Sequence, residues 1–393
     1  MLAKQKHPSL IKYMGSKTKL LDFVIDGINE SGKPSALLDL FSGSASLAGA
    51  LSNQLTVISN DIQSYAKVLA DTYTTAYVSE GSSVVNDVVA LAREICNELS
   101  KESGSTWNYD RDFSPEQLAD FERQQQSLIL HQFHSKWHLF TKNYSGTWWS
   151  AEQCIQIDGL RGAAEAYRES PTFPAILSAL MFAMAYTSIG TGHYAQFRDP
   201  KTLSNASDIL IYRRKMLLPI FERKLNELLD WLPTSPRPHL HKATSLDYLQ
   251  SVEQAQDGIT VYADPPYCFV HYSRFYHALE TLVLYDYPAL QVKNGKVVKG
   301  RYREERHQSP FSIRSQVPAA FKDLFESVAA KSMKLVLSYS NTGMISLEEL
   351  LESAQTAMPK RTIELITTDY QHMTLGRQFD RSRTVKECLI LAF

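Results

Sequence analysis

Four cysteines in 393 residues, Cys96, Cys154, Cys268 and Cys388, stand far apart and form no CxxC pair. That spacing excludes a disulfide framework and a zinc-ribbon type of site, and reads as reduced thiols of a cytoplasmic protein. No apolar run reaches the ~18 residues that a membrane span requires. The opening "MLAKQKHPSLIKYMG" has no apolar h-region and is not a secretory signal. Charge of either sign is not in excess. Lys and Arg total 41 against 42 Asp and Glu, so attraction to a polyanion has to come from local clustering. Internal repeats and low-complexity tracts are also missing. What remains is an ordinary globular composition, 44% hydrophobic and 21% charged, over a length that suits one large or two medium domains.

Seven β-like runs stand out: "SALLDLF" (35–41), "LTVISND" (55–61), "HLHKATS" (239–245), "ITVYADPPY" (259–267), "KLVLSYSN" (334–341), "IELITTDYQH" (363–372) and "KECLILAF" (386–393). Most are continuous apolar stretches ending in polar or turn residues, which suits strands buried on both faces of a largely parallel sheet. Helix-like segments such as 18–30 and 318–331 alternate with them. The expected fold is therefore α/β, doubly wound around a mostly parallel seven-stranded sheet. From about 65 to 235 the apolar spacing turns helical, with a capping box and first-turn proline at "SPEQ" (114–117). The expected organisation is a catalytic α/β domain built from 1–64 and 236–393, a mainly helical insertion at 65–235, and a basic insertion at 286–316.

The chemistry-bearing residues lie at strand ends. "DLFSGSAS" runs from a strand into a small-residue turn at Ser42, Gly43 and Ser44 ahead of a helix, where backbone can approach a ligand closely. The bland alternative is a tight strand–helix turn. Asp61 ends the second strand about 20 residues after the start of that turn. A carboxylate there can accept two hydrogen bonds from a ribose diol, or else cap the next helix. Asp247 ends the third strand, either as a contact to a purine edge or as an N-cap. In "ADPPY" two prolines stiffen the backbone and remove two donors. Asp264 and the Pro265 carbonyl can accept from one planar amino group, with Pro266 fixing the turn and Tyr267 stacking on the ring that bears it.

Taken together, "IKYMGSKTKLL", "DLFSGSAS", "SND", a long insertion, "TSLD" and then "DPPY" resemble the DNA amino-methyltransferases that methylate N6 of adenine, in the α-group order of motifs. The C-terminal "GRQFDRSRTVKECLILAF" is similar to their closing hairpin. The resemblance covers about half the chain, its α/β parts, and departs from the usual FxGxG where Ala45 replaces a glycine. It implies S-adenosyl-L-methionine as cofactor. Tyr13 and Lys17 would help bind it, Lys17 through its carboxylate. Asp39, Phe41, Ser42, Gly43 and Ser44 would wrap its methionine part, Asp61 its ribose and Asp247 its adenine amino group. Asp264, Pro265, Pro266 and Tyr267 would hold a flipped-out target adenine, with no metal involved. Expected partners are double-stranded DNA and a cognate restriction endonuclease, in a bacterial or phage-encoded, cytoplasmic and nucleoid-associated protein. Alternatives are a catalytically silent DNA-binding or regulatory protein on the same fold, or an amino-methyltransferase for cytosine N4 or RNA.

DNA contacts are expected from the basic run 291–316, with Lys299, Arg301, Arg303 and Arg306 the leading candidates. "KNGK" within it reads as a hairpin turn. His193 and Arg198 in "SIGTGHYAQFRDP" and Arg274 in "HYSRFYH" are further candidates. "KNYSGTWWS" is weighed against a core role for its tryptophans. His271 and His277 are expected in a contact or structural role, covering the target pocket, and Cys268 in packing.

Overall fold

The computed structural model describes residues 1–78, 81, 83–104, 106–190, 192–267, 269, 271–373 and 382–393. Nine strands are assigned among them: β1 (Ala36–Asp39), β2 (Thr56–Asn60), β3 (Lys242–Thr244), β4 (Thr260–Ala263), β5 (Val292–Lys293), β6 (Lys296–Val297), β7 (Lys334–Ser340), β8 (Ile363–Met373) and β9 (Ser382–Ala392). Seven of them form one sheet in the order β3-β2-β1-β4-β7-β9-β8. The first five are parallel along that order, and β9 runs antiparallel to both of its neighbours, β7 and β8. The strand order reverses between β1 and β4, the place where open α/β sheets bind ligands beyond their carboxyl ends. Each expected strand is present, though the third is shorter than the run 239–245. His241 lies outside it and accepts a hydrogen bond from the Val57 amide at 3.2 Å.

Alternate side chains of these strands face two separate cores, which is why the runs read as continuously apolar. Leu37, Val57, Tyr262, Val336, Leu389 and Leu391 face one core, while Leu38, Val261, Leu335, Leu337 and Ile390 face the other. Helix Leu21–Glu30 packs on the first face, where the missing side chain of Gly27 admits Leu389 and Leu391. Helices Tyr248–Gln254, Val317–Ala330 and Leu347–Ala357 cover the second.

The interval between β2 and β3 is helical and continuous with the first core. Its main pieces are Ser64–Thr74, Ser83–Ser103, Pro115–Gln126, Ala151–Ala164, Phe173–Thr187, Leu203–Arg213 and Leu217–Trp231. Ser114 and Gln117 form the expected capping box, and Ser150 with Gln153 forms a second. Trp148 and Trp149 are fully buried, so "TWW" anchors the core and offers no surface ring. A buried Arg213–Glu122 ion pair at 2.6 Å joins two of these helices. "KNGK" does form the β5–β6 hairpin, with Asn294 and Gly295 both at positive φ as a two-residue turn requires. Among the described residues no helix is long and apolar enough to cross a membrane.

Candidate functional site

One cavity of about 510 Å³ opens at the carboxyl ends of β1, β2 and β4. It is lined by Tyr13, Lys17, Asp39, Phe41–Ser44, Asp61, Asp247 and Asp264–Tyr267, so the cofactor and target residues expected from the motifs meet in one place.

The turn after β1 is held by β2. The Ser42 amide donates to the Asn60 carbonyl at 2.8 Å, and the Gly43 amide donates to the Asp61 carboxylate at 3.0 Å. Gly43 has φ +48°, and a Cβ there would come within 3.0 Å of the Tyr13 ring. The turn therefore needs glycine both for backbone conformation and for the close approach of Tyr13. Ala45 also sits at positive φ, in the left-handed conformation that precedes helix Ser46–Leu51. Asn60 fastens the next loop as well, accepting from the Leu246 amide and from the Thr244 hydroxyl. Tyr13 lies stacked on Tyr276, with ring centroids 4.7 Å apart, and the Met14 amide donates to the Tyr276 hydroxyl at 2.7 Å.

The two strand-end acids at β2 and β3 do local work too. Asp61 accepts from the Gln63 amide at 2.9 Å as well as from Gly43. Burial pushes its carboxyl up to about 6, against the pull of those two amides. Asp247 is the N-cap of helix Tyr248–Gln254, accepting from the Leu249 amide at 2.9 Å. Both keep a place in the cavity lining. Glu280, which the sequence reading passed over, caps helix Ser64–Thr74 by accepting from the Ser64 and Tyr65 amides.

At the end of β4, Asp264 faces Lys17 at 3.2 Å. The same ammonium donates to Glu387 on β9 at 3.2 Å. The Tyr267 hydroxyl donates to the other Glu387 oxygen at 3.0 Å. Asp264 Oδ1, the oxygen that faces Lys17, is itself buried, and Asp264 remains part of the cavity lining. Burial raises the Asp264 carboxyl to about 6, with Lys17 pulling it down and Glu387 pushing it up. Burial works against the Lys17 charge, but Asp264, Tyr267 and Glu387 hold its pKa well above the ordinary lysine range. Asp39 is raised by burial and then by Asp264 and Asp61. Glu387 was missed because a single acid inside "KECLILAF" looks like an interruption of an apolar strand. Its burial beside a lysine is visible only once β9 sits next to β7.

The segment after the motif divides. His271, Tyr272 and Ser273 line the cavity, joined by 307–310 and Ser312 from the end of the basic insertion. His277 does not cover the pocket. It is fully buried, 3.0 Å from the Tyr194 carbonyl and 3.4 Å from the Tyr144 hydroxyl, and burial depresses its pKa to about 3. Its role is structural. Cys268 lies outside the described residues.

The candidate DNA-contact cations are largely engaged within the protein. Arg303 makes two hydrogen bonds to Asp286, at 2.7 and 2.6 Å, and its side chain is only 12% exposed. Lys299 pairs with Asp199, and Arg198 with Asp208 at 3.2 Å. Arg274 and Arg306 both lie over the Tyr302 ring, Arg306 also donating to the Arg303 carbonyl. Arg301 adopts positive φ and burial lowers its pKa. His193 stacks on Phe275 at 4.4 Å. Lys299 and Arg274 remain exposed despite these contacts, as do Lys293 and Lys296 on the hairpin and Arg314 beyond it.

Four findings relate this chain to known proteins. Residues 13–132 match the family model of the D12 class N6 adenine-specific DNA methyltransferases. The matched segment holds the Tyr13, Lys17, Gly43 and Asp61 elements and stops before Asp264. The chain is 23% identical over 373 residues to the modification methylase LlaI of Lactococcus lactis subsp. lactis, covering 92% of this chain and 51% of that protein. It is 25% identical over 357 residues to the Type II methyltransferase M.FokI of Planomicrobium okeanokoites, covering 87% and 46%. The modification methylase StsI of Streptococcus sanguinis is 22% identical over 352 residues, covering 86% and 45%. The chain spans about half the length of these relatives.

Proposed function

We propose that this chain, similar in its cofactor half to the D12 class, is a site-specific DNA methyltransferase that transfers a methyl group from S-adenosylmethionine to N6 of an adenine flipped out of duplex DNA. The observation that carries the reading is Asp264 and the rest of its motif sharing one cavity with the Ser42–Ser44 turn and Asp61. The residues fit such a cofactor. Gly43 lets the turn after β1 close against Tyr13 at the cavity wall, Asp61 offers a carboxylate for a diol, and Phe41 and Tyr248 supply apolar walls. When bound, S-adenosylmethionine supplies an activated methyl group.

The chain's own residues do the rest. An adenine amino nitrogen is a poor nucleophile because its lone pair is delocalised into the ring. Hydrogen bonds accepted by Asp264 and the Pro265 carbonyl favour a tetrahedral nitrogen and offset the positive charge that develops on it. Tyr267 stacks on the purine, the two prolines keep the accepting carbonyl rigid, and the enclosed site holds nitrogen and methyl in line. Lys293, Lys296 and Arg314 are the DNA-backbone contacts this reading favours. The names of the relatives, modification methylases and a Type II methyltransferase, support a cognate restriction endonuclease as biological partner and a cytoplasmic site of action.

The test is transfer of labelled methyl to duplex DNA of varied sequence, followed by nucleoside analysis. The expected product is N6-methyladenine. Asp264→Ala is expected to lower turnover by about 10²- to 10³-fold, the scale of losing a preorganised electrostatic contact, while cofactor binding persists. N4-methylcytosine as product, or no DNA modification with cofactor bound, would overturn the reading.

A further inference from the structure

We propose that Glu387, on the antiparallel strand β9, is a positioning residue for methyl transfer: it shares the Lys17 ammonium with Asp264 and takes the Tyr267 hydroxyl, and so keeps Lys17 from neutralising Asp264 alone and the Asp264 carboxylate an acceptor for the incoming amine. The inference rests on the reading just given. Its geometry is a three-way arrangement in which Glu387 takes one hydrogen bond on each oxygen, from Lys17 at 3.2 Å and from Tyr267 at 3.0 Å. Lys17 also donates to the Tyr267 oxygen at 3.4 Å and lies 5.2 Å from that ring's centre. Glu387 is buried, with a side chain only 3% exposed.

A lone lysine 3.2 Å from a lone buried aspartate would be expected to satisfy it fully, as a charge-assisted hydrogen bond. Here Lys17 is instead divided, 3.2 Å from Asp264 Oδ1 and 3.2 Å from Glu387 Oε2, with the Tyr267 oxygen at 3.4 Å as a third contact. Two carboxylates thus share one cation, and the charge of Asp264, just beyond β4, is only partly offset by it. The groups facing Asp264 come from every element around it: Lys17 from the N-terminal segment, Asp39 from β1, Tyr262 from β4, Tyr267 from the motif, Ser338 from β7 and Glu387 from β9. The Cys388 thiol adjoins Glu387 and is itself pushed up by burial and by that acid.

Replacing Glu387 with the isosteric neutral Gln removes a like charge from beside Asp264 and releases Lys17 to it. The Asp264 carboxyl should then titrate at lower pH, and the Lys17 contact should compete with the target amine. The experiment is Glu387→Gln in the full chain, with thermal unfolding confirming the fold. The Asp264 side-chain carboxyl is followed by carbon-13 NMR and assigned with Asp264→Asn. The expected result is a titration midpoint lower by at least half a pH unit. In parallel, kcat is expected to fall about tenfold with KM for S-adenosylmethionine changed less than threefold, and the acid limb of kcat/KM to move down with the midpoint. Glu387→Asp, which keeps the charge but withdraws it, should fall between the two, and it carries the comparison if the glutamine variant does not fold. An unmoved Asp264 midpoint overturns the proposal, because a purely structural strand residue would alter stability without moving that titration. The NMR arm reads no turnover, so a failed methyl-transfer assay with a shifted midpoint would sink the functional reading and leave the charge relation intact.

Discussion

Lys17→Met removes the cation that two buried carboxylates share while keeping much of the apolar stem. Lys17 stands 3.2 Å from both Asp264 and Glu387, and all three side chains are nearly enclosed. Deleting one partner of a buried pair costs about 3–5 kcal/mol, because the other charge is left uncompensated in low dielectric. The pH dependence has a definite sign. Asp264 in the folded protein titrates near 6 rather than at the ordinary 3.8. An acid raised in this way binds its proton more tightly when folded, so it weakens stability as pH rises through that window. Without Lys17 the carboxyl rises further and the window extends upward. The variant should therefore lose about 3–5 kcal/mol at pH 8.5. The gap to the parent should narrow by about 1.4 kcal/mol for each pH unit over which the variant holds one extra proton on the way to pH 6. Urea unfolding read by the fluorescence of the five tryptophans measures both quantities, with the slope checked for constancy. A loss below about 1 kcal/mol at pH 8.5, or a gap that does not narrow on acidification, would refute the view of Lys17 as the counter-charge of the site.

Three further outcomes concern regions away from Asp264. His277 is neutral in the fold, its pKa depressed to about 3 by burial, so the unfolded chain takes up the proton first and stability falls as pH drops below 6.5. His277→Gln should flatten that decline by one proton, about 1.4 kcal/mol per pH unit between 6 and 4, in urea unfolding; an unchanged slope would contradict it. In the basic insertion, neutralising Lys293, Lys296 and Arg314 together should lower the salt slope of duplex DNA binding by up to about three. Arg303→Ala, which breaks the pair with Asp286, should mainly lower the melting temperature. Fluorescence anisotropy at several salt concentrations and a thermal melt distinguish these, and a salt slope that Arg303 controls would restore the original expectation for that residue.

Much of the α/β half is legible in sequence because its signals are local. Leu37 and Leu38 face opposite cores, so β1 reads as one apolar run, and its end is marked by Asp39 and a glycine turn. Capping boxes such as Ser114 with Gln117 are likewise written in adjacent residues. The parts that escaped depend on partners far along the chain. Glu387 meets Lys17 across 370 positions. Arg303 finds Asp286 only when the hairpin folds back, so a run of positive charge overstates the cations left for a polyanion. Asp61 and Asp247 were legible as strand-end acids with two candidate uses, and each is seen serving a turn or a helix start while also facing the cavity.

The strand order also bears on how the molecule is made. β8 precedes β9 in the chain, yet within the sheet its pairing is with β9, which lies between it and β7. As the chain leaves the ribosome, β8 emerges with no sheet neighbour to receive it. It has to wait for β9 to dock along β7, and the same docking carries Glu387 to Lys17. Closure of the sheet and assembly of the acid–lysine–tyrosine cluster are thus one late, long-range event, of the kind that slows folding. Until then the nascent protein exposes an unpaired edge along β7, a place where chaperone protection would matter most.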